Sequence, residues 1–262
     1  MLAGLLAVAL AQAPAPAAPT RPARPPELFL ASFPLVSSLA GPVDWGAVAL
    51  RVAPGAGAGA PLPAFLARRR LRARDGVYLV TGLSEVASRD PVLPRHRGPS
   101  WVIDYDQPAF GPALEAARAQ LGPTPGAAAL TAFSAAYLAR KDYTRGFDLA
   151  SQVAASREGD CTEHAVFLAG LLRAFKVPAR AVLGLLLLPT QAAPGAYGHM
   201  WVEAWVDGRW VALDAAVPEA LGAARLPVGE LEDEGPGYRL GTMRLGLAMR
   251  FDRLELLAAD AR

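Results

Sequence analysis

The chain has one cysteine in 262 residues, three histidines and almost no lysine. A single thiol excludes a disulfide within the chain, so stability has to come from a buried core. One Cys and three scattered His also lack the spacing of a metal site, and no metal or organic cofactor is expected. Neither sign of charge dominates: 26 Lys and Arg against 24 Asp and Glu give a formal net charge of +2. No Lys/Arg stripe with interleaved aromatics is present, which argues against a nucleic-acid surface. The run Arg68-Arg69-Arg70 reads as a solvated face or as protection of a strand edge. Long apolar runs are missing as well. Leu185 to Leu188 ends at Pro189, and no segment after the N-terminus approaches the ~20 residues of a membrane span. With 53% hydrophobic and 19% charged residues, the chain is globular rather than disordered.

What is present divides the chain. Leu2 to Leu10 is a short apolar run, and Ala11-Gln12-Ala13 fits a small-x-small cleavage pattern. Residues 1–13 therefore read as an export signal, and 14–27 as a Pro/Ala linker. The expectation is a periplasmic or secreted protein, or a membrane-anchored one if the leader stays uncleaved. Residues 28–108 read as β-rich, with strands at Val48–Val52 and Gly76–Thr81. Trp101–Tyr105 reads as a further short strand or extended segment. Trp45 and Trp101 are expected in the core, and His96 on an exposed Pro-rich loop.

Residues 109–220 read as a helical and β core, and 221–262 as an extension that adds strands. Helices are expected over Ala113–Leu121, Ala127–Lys141 and Phe147–Ser156. Asp160, followed three residues later by Glu163, is a capping box. It starts a helix that is apolar nearly all round and runs to about Phe175, so this helix is expected to be buried. Ala181–Leu188 is a buried strand. After the Thr190–Gly198 loop, His199–Val206 and Trp210–Asp214 form a hairpin about Asp207-Gly208, a strong two-residue turn.

Two of these features bear on the lone cysteine, which is either a small buried apolar residue or a reactive thiol. The cap puts Cys161 at the first helical position. There the helix dipole favours a thiolate, and N–H groups can receive an oxyanion. Asp160 and Glu163 add negative charge and work against the thiolate, so a cationic partner is needed. The two-residue turn pairs Val206 with Arg209, Trp205 with Trp210 and Glu203 with Ala212. That register sets His199 and Asp214 on one face as diagonal neighbours, roughly 7–8 Å apart at the backbone. An Asp that accepts from one imidazole nitrogen leaves the other to face a thiol, which is the nucleophile–base–orienter logic. His164 is the rival base, but on its buried helix it lacks an orienter and is expected to be structural.

The segments GDCTEHA, VPARAVLG and GHMWVEAWVDGRWVALDAA, in that order, resemble the bacterial transglutaminase-like superfamily over about residues 130 to 216. That superfamily shares a papain-like architecture with papain-type proteases, peptide N-glycanases and arylamine N-acetyltransferases. The resemblance implies an α+β fold: a papain-like core with the nucleophile helix packed on an antiparallel sheet, beside the β-rich N-terminal region. It implies Cys161 as nucleophile, His199 as base and acid, and Asp214 as orienter. By analogy with the papain-type glutamine, Gln152 is a candidate oxyanion side chain. Trp201 is a candidate lining of the acyl-substrate cleft. The substrate class implied is a protein or peptide amide, including one of the cell envelope. Hydrolysis and transfer to an amine both remain open, with bacterial members leaning to hydrolysis. A non-catalytic envelope module that keeps the fold is the alternative. A calcium requirement like that of animal transglutaminases finds only Glu230 to Glu234 as acidic support.

Overall fold

A computed structural model describes residues 32–37, 39, 43–56, 71–74, 77–80, 90–140, 147–188, 195–217 and 224–258. The expected leader, linker and Arg68–Arg70 run lie outside these residues.

The apolar strand segments assemble into one sheet. Its strands are β1 (Ser32–Ser37), β2 (Val48–Pro54), β3 (Leu71–Arg74), β4 (Val77–Val80), β5 (Ala179–Leu188), β6 (Gly195–Val206), β7 (Arg209–Leu213), β8 (Ala224–Glu230) and β9 (Phe251–Ala258). Among the described residues the order is β3-β4-β2-β9-β1-β6-β5-β8, with β7 also paired to β6. All pairs are antiparallel except β1 with β9. β1 is split between neighbours: its first half pairs with β6 and its second half with β9.

The helices are α1 (Gly111–Leu121), α2 (Ala127–Tyr137), α3 (Ala150–Ser156), α4 (Cys161–Ala174) and α5 (Tyr238–Ala248). The fold is α+β, as the resemblance implies. Alternation sorts the central strands. Ala181, Leu183, Met200, Val202 and Ala204 join the main apolar cluster with Leu168, Leu171 and Leu172 of α4. Nearly every residue of α4 is buried, which follows from its lack of a polar stripe. Its one buried cation, Arg173, is saturated. Nε donates to Ala179 O (2.9 Å), Nη1 to Gly98 O (3.2 Å) and Nη2 to Asp233 Oδ2 (3.0 Å).

Several expectations change. Trp101–Tyr105 is a bend rather than a strand. Its Val102 N–H donates to Asp233 O and its Val102 O accepts from Ala150 N–H, so the backbone is satisfied by a loop and a helix start. Trp45 is buried, but Trp101 is 50% exposed and lines an open cleft with Asp104, Asp106 and Gln107. α2 stops at Tyr137, because Leu138 turns out of helical geometry (φ −94°, ψ 63°). α3 begins only at Ala150, after Phe147 at φ 60°. β6 begins at Gly195, four residues before His199, because residues 195–198 pair with β5 and residues 195–197 also pair with β1. His96 is buried: its Nδ1 accepts Leu93 N–H (3.1 Å) and its Nε2 lies 3.0 Å from Glu230 Oε1. The ring also packs edge-on against Trp210. Long-range partners, invisible in the local sequence, account for that burial.

Candidate active site

The site begins at the start of α4. Asp160 is extended, and its Oδ1 accepts Thr162 N–H at 2.8 Å. Glu163 Oε2 reaches back to Asp160 N–H at 3.0 Å, and Oε1 accepts Asp148 N–H at 3.2 Å. The box is therefore reciprocal, and it ties the preceding segment to the helix. Gly159 is required here. At φ +155° a Cβ would lie 2.1 Å from Glu163 Cβ, so a side chain at this position and the cap exclude each other.

Cys161 occupies the first helical position and is buried. The charge of Glu163 had counted against a thiolate. In the fold, burial and the neighbouring Asp160 push the Glu163 carboxyl up to about 8, so at neutral pH it is mostly uncharged. His164 is buried, and its Nδ1–H donates to Asp160 O at 2.8 Å, which gives it a structural task one turn from the cap.

The hairpin has the register that its turn dictates. Asp207 (φ 50°) and Gly208 (φ 79°) are both left-handed, as a type I′ turn needs, and pairing runs from Val206↔Arg209 to Val202↔Leu213. Asp214 follows directly. His199 Nε2–H donates to Asp214 Oδ2 at 2.8 Å, and both side chains are buried. Asp214 is further held: Oδ1 accepts the N–H groups of Ala216 and Val217 (3.2 Å each), and Oδ2 also accepts from Arg225 Nη2 at 2.7 Å.

The electrostatics follow from this packing. Burial alone would disfavour a charged imidazole. The Asp214 carboxylate outweighs it, Cys161 adds to the effect, and His199 is pushed up to about 10. Asp214 is held well below the ordinary carboxylate range, because His199 and Arg225 together overcome its burial. His199 Nδ1 makes no complete hydrogen bond among the described residues, yet Cys161 lies close enough to favour the ring's protonated form. That nitrogen is the one left over once Nε2 is committed to Asp214.

Trp201, two residues on from His199 along β6, stacks near the imidazole (centroids 6.3 Å apart, planes 22° apart). It is buried, and its Nε1 has no hydrogen-bond partner among the described residues. Space for its ring comes from Gly184, where a Cβ would sit 2.7 Å from Trp201 Cη2 and 2.2 Å from Leu226 O. Gln152, the oxyanion candidate, lies in the first turn of α3. It is exposed, and its Oε1 accepts Leu149 N–H at 3.0 Å, so the carbonyl end closes the first turn of α3. Arg225 was missed. Only its cationic type and its place in an apolar strand could have marked it.

In the acidic stretch near 230, two members bind basic side chains. Glu230 binds His96 and Arg95, which hold its carboxyl down at about 2 against its burial. Asp233 binds Arg173.

Residues 115–215 match the model of the transglutaminase-like superfamily. Among solved structures, the chain is similar to a candidate cysteine protease from Cytophaga hutchinsonii. That match has 13% identity over 88% of this chain and 89% of the other, with a TM-score of 0.46. The periplasmic domain of TgpA from Pseudomonas aeruginosa matches at 22% identity, over 62% of this chain and 50% of that one, TM-score 0.27. A candidate protease from Parabacteroides distasonis matches at 16% identity, over 72% of this chain and 42% of that one, TM-score 0.30. The chain therefore spans half or less of the last two. No curated protein matches it.

Proposed function

We propose that this chain, whose residues 115–215 carry a transglutaminase-like core, is an exported thiol enzyme that acts on amide bonds of a protein or peptide. The observation that carries the proposal is the His199–Asp214 bond, made through Nε2, beside an imidazole Nδ1 that is buried, unpartnered and under the influence of Cys161. A satisfied structural histidine would have used both nitrogens.

In this reading His199 takes the Cys161 proton and becomes the imidazolium that Asp214 stabilises. The thiolate attacks the amide carbon, and the carbonyl oxygen takes the charge near the Cys161 N–H at the helix start. His199 then gives its proton to the leaving nitrogen, the C–N bond breaks, and a thioester remains. A second nucleophile gives its own proton to His199, attacks the thioester and releases the thiolate. With water this is hydrolysis, the favoured outcome; with an amine it is acyl transfer. Trp201 then serves as one wall of the cleft. No step calls for a cofactor. Export to the periplasm or medium rests on the leader-like residues 1–13; among the described residues no helix is long and apolar enough to cross a membrane.

The test is incubation with a peptide library plus a primary amine, read by mass spectrometry. Cleavage, deamidation and amine incorporation give different mass changes. Each is expected to vanish in Cys161→Ala. A thiol that alkylates like free cysteine in both wild type and His199→Ala, with no product in the library, overturns the proposal in favour of a non-catalytic envelope module.

A further inference from the structure

Asp214 is bonded on every side. Two backbone N–H groups take Oδ1, and two side chains share Oδ2: His199 through Nε2 and Arg225 through Nη2. Arg225 comes from β8, which flanks β5, whereas Asp214 follows β7, which flanks β6. The ion pair thus ties together the two sides of the β5–β6 pair. It does so on one face, because Arg225 is paired with Leu186, and Leu186 shares the face of Gly184, which is paired with His199. The guanidinium has no second acid among its ion pairs, and its Nε is buried without a hydrogen-bond partner among the described residues. An arginine kept only to cement the fold would fill its fork, as Arg173 does.

We propose that Arg225 is a positioning residue of the Cys161–His199–Asp214 set. It holds the carboxylate and offsets its charge, so that the imidazole can hand its proton on to a leaving nitrogen. This rests on the reading of Cys161 as the nucleophile. A buried imidazole facing an uncompensated carboxylate keeps its proton too firmly to act as an acid. With Arg225 the site holds two negative groups, thiolate and carboxylate, against two positive ones.

The charged groups that bear on the imidazole are Asp214, after β7, and Cys161, on α4, with Arg225 of β8 acting through Asp214. On β6 itself, Tyr197 lies two residues before His199. Farther along the same face, Glu203 is paired with Arg180 of β5. On α4, Asp160 and Glu163 bind the helix's own first turn.

The experiment compares wild type, Arg225→Gln and Arg225→Lys in two measurements. One is the pH profile of Cys161 alkylation by iodoacetamide. The other is the His199 ring titration by NMR, with His199→Ala identifying the resonance. Loss of the cation makes the site more negative, so both midpoints move to higher pH in Arg225→Gln. On the acid limb this appears as about a tenfold slower alkylation. Arg225→Lys keeps both midpoints near wild type while loosening the fork. The proposal is overturned if Arg225→Gln leaves both midpoints where they were, or if Lys fails to restore them. Should the Gln variant not fold, the Lys variant decides alone: a displaced His199 midpoint in a folded Arg225→Lys protein overturns the proposal. A wild-type thiol inert at every pH would sink the nucleophile reading, and the His199 titration would then judge Arg225 by itself.

Discussion

The central strands carry two buried clusters of charge, and they are built on different terms. Around Arg180 every group is answered. Its Nε and Nη2 both donate to Glu203 Oε2 (3.0 and 2.7 Å), and Nη1 reaches Asp90 Oδ2 at 3.2 Å. The guanidinium lies 4.2 Å from the Trp210 ring centre, and Trp210 Nε1–H donates to Asp90 O. His96 and Arg95 close the cluster on Glu230. Around His199 three buried nitrogens have no partner among the described residues: His199 Nδ1, Trp201 Nε1 and Arg225 Nε. A closed cluster can do nothing but hold, and this one holds residues 90–97 against the sheet. An open cluster leaves donors and acceptors for something that arrives, and each unmet group costs stability while it waits. The two clusters share a strand face, and the contrast between them separates scaffold from chemistry better than either does alone.

The contrast can be broken from either side. The largest effect is expected in the open cluster. His199→Ala or Cys161→Ala reduces amide turnover by at least about 10⁴-fold, measured by product mass, and Cys161→Ala does so with little change in thermal unfolding. In the closed cluster the expectation reverses. Glu203→Ala leaves Arg180 buried without its principal acid and costs about 3–5 kcal/mol in denaturant unfolding, with the pH profile of Cys161 alkylation unmoved. Gly159→Ala forces the cap apart and costs about 2 kcal/mol, read as a lowered midpoint of urea unfolding.

Two expected effects appear only when pH is varied. His199 is raised above its unfolded value, so its contribution to stability is complete below pH ~6.5 and is lost as pH rises through about 10. His199→Gln is expected to flatten unfolding curves between those limits. Glu163 runs the other way for a carboxyl: its raised value makes the fold lose stability as pH climbs from ~4.5 to about 8. Glu163→Gln removes that slope, seen as a difference between urea titrations at pH 5 and pH 8.

The open cluster was the more legible of the two. Asp160 and Glu163 announce the cap because a capping box is a three-residue signal. Asp207-Gly208 sets the register because a two-residue turn leaves no slack, and the register carries His199 to Asp214. These are local rules that act at a distance through a rigid hairpin. The closed cluster was opaque. His96 looked exposed because nothing in its Pro-rich loop reports Glu230 or Trp210, more than a hundred residues away. Arg225 escaped for the same reason, since its partner depends on how β8 lies against β5. Gln152 shows a different limit: an analogy of residue type is silent on placement, and here the carbonyl end caps its own helix. Trp101 was expected in the core, yet on its bend the residue is 50% exposed.

The position of β9 has a consequence for the order of assembly. It lies between β2 and β1, so it joins β3-β4-β2 to β1-β6-β5-β8. Nothing else among the described strands connects those two groups. The latest of the described strands in sequence is therefore the keystone of a sheet that includes the earliest. Until residue 258 is available, the strand beside β6 keeps one bare edge and the N-terminal strands keep another. Two such edges in a half-made chain are ready sites for pairing with the wrong neighbour. Any cut that trims β9 is thus expected to yield aggregates before it yields a merely weaker fold.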